Sequence, residues 1–166
     1  MNNSNGRMIR ILLGSCYRHL SSLIEASIRD ACFGQADVEI TRMARLNDFI
    51  RQAGYEGFDL IIVAPDSFLA EPNRRSPIQP EEEVIRAIRS LKIRYSTPVF
   101  AMGLSEDQET PFLEAGAEEV FRGVFHRDAF KSALRHRLYL SEPPDPAPAR
   151  LSFLSHLLRG LQGKSA

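Results

Sequence analysis

The 166-residue sequence lacks the features that recruit a nucleic acid or a membrane. It has 21 basic and 21 acidic side chains, so its zero net charge provides no long-range attraction for polyanions. No run approaches the ~20 apolar residues of a membrane span. The N-terminus, MNNSNGRMIRILLG, contains no apolar stretch of signal-peptide length. These absences predict a cytoplasmic protein whose partners are chosen by local surface, with no nucleic-acid partner.

The sequence contains only two cysteines, Cys16 and Cys32. Both fall in one predicted helical segment, where a rise of about 1.5 Å per residue separates them by roughly 24 Å. That separation is too large for a disulfide bond within the chain. Free thiols agree with a reducing cytoplasmic setting.

The usual motifs for nucleotides and metals are also missing. Neither GxGxxG nor GxxxxGK[ST] occurs. The histidines do not form HxxxH and have no paired cysteines near them; they are His19, His126, His136 and His156. We therefore predict no cofactor, no metal site and no set of catalytic residues.

The apolar pattern between residues 8 and 140 predicts five strands that alternate with five helices. The predicted strands are 8–14, 36–44, 58–64, 97–104 and 118–125. The predicted helices are 15–33, 46–57, 81–96, 110–116 and 126–140. In the fourth helix, Thr110 is the expected N-cap and Pro111 the first helical residue.

This alternation predicts a flavodoxin-like α/β fold, because parallel neighbouring strands need crossover helices. The expected fold is a doubly wound parallel (βα)5 sheet with strand order 2-1-3-4-5. Segment 58–64, FDLIIVA, is apolar throughout and suits a central strand, whereas 36–44 suits a sheet edge. In this fold, chemistry occurs at the carboxyl ends of strands 1 and 3.

The predicted domain organisation has four parts. Residues 1–7 form a flexible N-terminus, 8–140 form the globular domain, 141–149 form a proline-rich linker, and 150–166 form a short amphipathic helix. One face of that helix forms a leucine stripe, which consists of Leu151, Leu154, Leu157, Leu158 and Leu161. The stripe needs a surface to bury against: its own domain, a second copy or a partner. Membrane binding ranks lower because the cations are scattered around the helix.

Four stretches of the sequence follow one another along the predicted domain: RILLGSC, FDLIIVA, TPVFAMG and EAGAEEVFRGVF. With them, residues 8–139 resemble a response-regulator receiver (CheY-like) domain. The resemblance lies in order, spacing and apolar pattern. It implies the (βα)5 fold and a place in two-component signalling or a phosphorelay.

The residues on which receivers depend for phosphorylation are missing at the matching positions. Receivers bind a divalent cation through acidic residues after strand 1, and those positions hold Ser15 and Cys16. The phosphoacceptor position holds Ala64. The hydroxyl and lysine positions after strands 4 and 5 hold Gly103 and Gly123. Without positioned charge and metal there is no route to phosphoryl transfer, which implies a degenerate pseudo-receiver.

Two alternatives remain open. Asp66, two residues beyond Ala64, is a displaced acceptor if the chain is a true receiver, although Pro65 makes continuation of the strand doubtful. Cys16, near a helix N-terminus, is a candidate nucleophile for an enzyme or a phosphocarrier. Its sequence context, CYRHLSS, lacks the small residues that such loops use to hold an anion.

The receiver resemblance also implies partners. We expect a non-enzymatic protein-interaction module of a bacterial-type pathway, with a kinase, an effector or a second copy as partner. The face formed by helix 4, strand 5 and helix 5 is the expected homodimer surface. The segment 65–80 contains four prolines and no sustained period, so it is a predicted loop that covers the vacant pocket or presents a binding edge.

Overall fold

The computed structural model describes residues 6–55 and 57–141. The predicted helix at 150–166 lies outside these residues, as does the predicted linker at 141–149 apart from Ser141. Most of the predicted flexible N-terminus, 1–7, also lies outside them. Within the described residues, no helix is both long and apolar enough to cross a bilayer.

The described chain forms five parallel strands that alternate with five α-helices. The strands are β1 (Met8–Gly14), β2 (Asp37–Met43), β3 (Leu60–Val63), β4 (Val99–Leu104) and β5 (Glu119–Arg122). The helices are α1 (Arg18–Cys32), α2 (Leu46–Ala53), α3 (Pro80–Arg94), α4 (Glu106–Ala115) and α5 (Arg127–Leu138). The sheet order is β2-β1-β3-β4-β5, which confirms the predicted flavodoxin-like topology.

The sheet separates two apolar cores because successive side chains of a strand point to opposite faces. On one face, Leu12 and Val63 pack with α2, α3 and α4. On the other face, Ile11 and Leu13 pack with α1 and α5. β3 is buried along its whole length, as predicted for a central strand, whereas β2 lies at the edge with alternating exposed positions.

The predicted start of helix α4 was wrong. α4 begins at Glu106 with Ser105 as N-cap, so Thr110 does not cap it and Pro111 lies inside it. The Ser105 backbone N–H donates to Gln108 Oε1 at 2.8 Å, which stabilises the earlier start. Proline at 111 removes only the bond to the carbonyl of Asp107, an exposed residue at the helix start that water can reach.

The segment 65–80 is more ordered than the predicted loop. Pro65–Ala70 forms a 3-10 helix in which Phe68 is fully buried and packs near Phe49, with ring centroids 6.2 Å apart. Further along, the Arg74 guanidinium donates to Ile78 O at 2.6 Å and to a carboxylate of α3. Burial of Phe68 therefore orders the first part of this segment. The sequence pattern did not indicate this order, because the four prolines interrupt any regular spacing of apolar residues.

Candidate functional site

The candidate site lies where β1 and β3 end side by side. Gly14 and Val63 are paired in register at the ends of these strands. The next residues are tied together as well, because the Ala64 backbone N–H donates to Gly14 O at 2.9 Å. The sheet thus brings Ser15, Cys16 and Ala64 to one edge, although their positions are far apart in sequence.

Neither Ser15 nor Ala64 presents a reactive group to solvent. The Ser15 side chain is fully buried, and its hydroxyl accepts a hydrogen bond from the Tyr17 backbone N–H at 3.2 Å. Ala64 is 3% exposed and offers only a methyl group. This edge therefore lacks a nucleophile at the end of β3.

Sequence reasoning missed Ser67, which bridges the two strand ends. Its side chain is 1% exposed. Its Oγ accepts from the Cys16 backbone N–H at 2.9 Å and donates to Ala64 O at 2.7 Å. This neutral hydroxyl of the 3-10 helix therefore satisfies a backbone donor that follows β1 and a backbone acceptor that follows β3. The Pro-Asp-Ser turn was the only signal for it in the sequence.

Asp66 is held toward helices α3 and α4. Its Oδ1 accepts from Gln108 Nε2 at 3.2 Å, and the same nitrogen donates to Glu81 Oε2 at 3.0 Å. Gln108 is a second residue that sequence reasoning missed. Within residues 6–55 and 57–141, no three His, Cys, Asp or Glu side chains come together in a group that could hold a metal ion.

Gly103, near the end of β4, and Gly123, directly after β5, both have an unusual backbone conformation. Their φ angles are +73° and +61°, in the left-handed region that disfavours residues with a Cβ. Gly103 lies at a register shift between Met102 and Leu104, and Gly123 N–H donates to Leu104 O at 2.9 Å. A Cβ at either glycine would meet no atom within 4 Å. Backbone strain, rather than lack of space, therefore opposes a larger side chain here.

Cys16 lies beside a basic depression on the β2 side of the site. It is partly exposed and lines an open depression with Arg18, Ser22 and Arg42. The other free thiol, Cys32, is buried at the far end of α1, and burial raises its pKa. The two thiols thus lie in different environments, and only Cys16 faces solvent near the candidate site.

The face predicted for dimerisation exposes two large apolar side chains. Leu113 on α4 is 46% exposed and Val124, just after β5, is 75% exposed. On the same face, Arg122 of β5 lies 3.3 Å from a Glu109 carboxylate oxygen of α4. Apolar contact area and charge therefore occur together on this surface.

No protein-family model matches the chain, and no curated protein matches its sequence. Similar solved structures exist. A candidate pilus assembly protein (CpaE) from Burkholderia thailandensis is 18% identical, with a TM-score of 0.58 over 80% of this chain and 99% of that chain. A CheY-like response regulator receiver domain protein from Methanospirillum hungatei is 16% identical, with a TM-score of 0.56 over 79% of this chain and 94% of that chain.

A chemotaxis response regulator of Vibrio cholerae is also similar. It is 17% identical, with a TM-score of 0.57 over 78% of this chain and 98% of that chain. At these identities the likeness concerns the fold, and it agrees with the observed strand order. The chain therefore has the fold of CheY-like response-regulator receiver domains.

Proposed function

We propose that this protein is a signalling module with a receiver fold that acts by protein–protein contact and does not accept a phosphoryl group. The observation that supports this most is Ala64 at the end of β3, a 3% exposed methyl side chain in the place of the acceptor. A methyl group cannot form a bond to phosphorus. On this proposal the module is not an enzyme and works in the cytoplasm of a bacterial-type cell.

The surroundings of Ala64 support the same proposal. Phosphoryl transfer depends on positioned charge and a divalent cation. Here the strand ends are joined by the neutral hydroxyl of Ser67, and β1 is followed by a buried serine and a cysteine. Hard carboxylate oxygens, which magnesium prefers, do not follow β1. Ser67 of the 3-10 helix thus joins the ends of β1 and β3 by hydrogen bonds that have a structural role.

The first experiment is the intact mass of the full chain after incubation with magnesium and acetyl phosphate. We expect no phosphoryl adduct, whereas an authentic receiver domain treated in parallel should gain one. An adduct would overturn the proposal, and peptide mapping would give its position. An adduct on Asp66, absent from Asp66→Asn, would mean a displaced acceptor. An adduct on Cys16, absent from Cys16→Ser, would mean a phosphocarrier.

The proposed partner is another protein: a kinase, an effector or a second copy. The names of the similar structures, which include response regulators, support a signalling partner.

For a second copy, the α4–β5–α5 face offers the exposed Leu113 and Val124. Sedimentation velocity over a concentration series should show a dimer that Leu113→Glu abolishes. Leu69→Glu, at a 62% exposed position on the 3-10 helix, is the control that should leave it intact. A monomer at every concentration would contradict the homodimer.

A further inference from the structure

An open apolar groove lies between α2 and α3, on the face of the domain opposite α5. Its volume is about 410 Å3, and its lining includes Ile50, Ala87, Leu91 and Tyr95. The Tyr95 hydroxyl donates to Gly54 O at 3.3 Å, which joins the end of α3 to the end of α2. An apolar groove of this size suits the side chains of an amphipathic helix.

A second depression lies at the end of α5. Leu138 and Tyr139, at the end of α5, line it together with Ser96 and Pro98. Ser96 directly follows Tyr95, which lines the groove. The end of α5 and the near end of the groove therefore open at the same edge of the sheet, the edge where the strands begin.

The described chain ends at a fixed point on this edge. Ser141 N–H donates to Gln35 Oε1 at 2.6 Å, and Gln35 Nε2 donates to Ser141 O at 3.0 Å. Residues 142–149 follow and include four prolines. In the polyproline conformation, eight residues reach about 25 Å at most. The helix layers on the two faces of a sheet lie about 20 Å apart, so this reach is sufficient to bring residue 150 to the groove.

We propose that the segment 150–161 docks its leucine stripe into the α2–α3 groove of its own domain. A short isolated helix is marginal in water, so the stripe needs a surface, and the groove is the apolar surface that the linker reaches. A short linker also makes this docking an intramolecular event, which favours it over capture of a second molecule. The depression beside α5 is a poorer site, because it begins at Leu140 and Ser141 and a proline-rich linker would have to reverse at once.

Apolar contact, not charge, drives this docking. The groove is bordered by Arg86 and Arg94, while Glu83 is engaged by Arg74 at 2.7 Å. Residues 150–166 contain no acidic side chain; their cations are Arg150, Arg159 and Lys164. Because like charges meet across the contact, added salt should strengthen the docking by screening them. An occupant held by charge would respond in the opposite way.

The test uses tryptophan as a reporter, because the sequence contains none. Phe153→Trp in the full chain places a single fluorophore beside the leucine stripe. We expect blue-shifted emission and protection from acrylamide. Ala87→Gln, which adds bulk to the groove lining, should raise the quenching constant several-fold. Arg89→Gln, at an exposed position of α3 outside the groove, should not. Far-ultraviolet circular dichroism of each variant checks that the domain is folded.

A second pair of variants tests the tail itself. Leu154→Asn with Leu158→Asn should expose the reporter, and Ser152→Asn, on the opposite side of the predicted helix, should leave it protected.

A solvent-exposed tryptophan in the Phe153→Trp parent would overturn the proposal, as would protection that Ala87→Gln leaves unchanged. Protection that disappears on dilution would identify a second copy as the occupant. Protection that salt removes would identify a charge-driven contact elsewhere, such as the acidic surface of α4. Either outcome would contradict the proposal.

Discussion

Ser67 stabilises the strand ends because its hydroxyl is buried between two backbone groups. Its buried hydroxyl satisfies the Cys16 backbone N–H and the Ala64 carbonyl. A buried donor that loses its acceptor keeps its desolvation cost and gains nothing in return. The hydroxyl therefore stabilises the strand ends more than a surface serine would.

Ser67→Ala should lower the free energy of unfolding by about 1–3 kcal/mol, because it leaves the Cys16 N–H without an acceptor. Urea denaturation followed by circular dichroism measures this change. The matched control is Ser22→Ala, since Ser22 is exposed and its hydroxyl donates only to Arg18 O within α1. A loss no larger than that of the control would mean that the bridge contributes little to stability.

At the scale of elements, helices α1 and α5 are joined by charge as well as by apolar packing. Asp30 of α1 accepts from Lys131 Nζ of α5 at 2.8 Å and lies 3.3 Å from Arg127 Nη2. The hydrogen bond from Lys131, with the charges of Lys131 and Arg127, holds the pKa of Asp30 below its usual value of 3.8. Folding therefore favours the ionised form of this exposed carboxylate.

Asp30→Asn should lower stability at pH 7, and the difference from the wild type should disappear in acid. A carboxylate whose folded pKa is lowered contributes stability above its unfolded pKa, and this contribution is lost as the pH falls through the folded pKa. Urea denaturation at pH 7 and at a series of values below 3.8 measures this. Asp37→Asn, at an exposed position at the start of β2, is the control. A pH-independent difference would show that charge is not the cause.

Helix α4 shows why the ends of elements are difficult to predict. Pro111 is typical of a first helical turn, which placed the predicted start at Thr110. The observed start at Glu106 depends on the Ser105–Gln108 contact and on Gln108 reaching Asp66 and Glu81. The last two contacts join separate elements, so the local pattern contained no sign of them.

At the scale of the whole molecule, Glu118 links the two helix layers across the start of β5. Its carboxylate accepts from Lys92 Nζ of α3 at 2.6 Å and also pairs with Arg137 of α5. α3 and α5 pack on opposite faces of the sheet. Burial lowers the pKa of Lys92, and the charge of Arg137 lowers it further. The carboxylate therefore separates two cations that would otherwise repel each other.

Glu118→Gln should lower the free energy of unfolding by about 1 kcal/mol, a modest value because all three side chains are partly exposed. The cost should shrink as salt is added, since screening weakens the repulsion between Lys92 and Arg137. Urea denaturation at low and high ionic strength measures both effects. The neighbouring Glu119→Gln, at an exposed position, should change stability very little. An equal loss in the two variants would contradict the proposed link between layers.

The sequence by itself determined the order of strands and helices, because apolar periodicity is a local property and parallel strands require crossover helices. It also determined which residues stand at the strand ends, including alanine at position 64. Only the tertiary structure decided what surrounds them. The Cys16–Ser67 contact joins residues 51 positions apart, and the Asp66–Gln108 contact joins residues 42 positions apart. Such pairs meet only when loops, helices and sheet have packed together, and the geometry of that packing is not present in any local stretch of sequence.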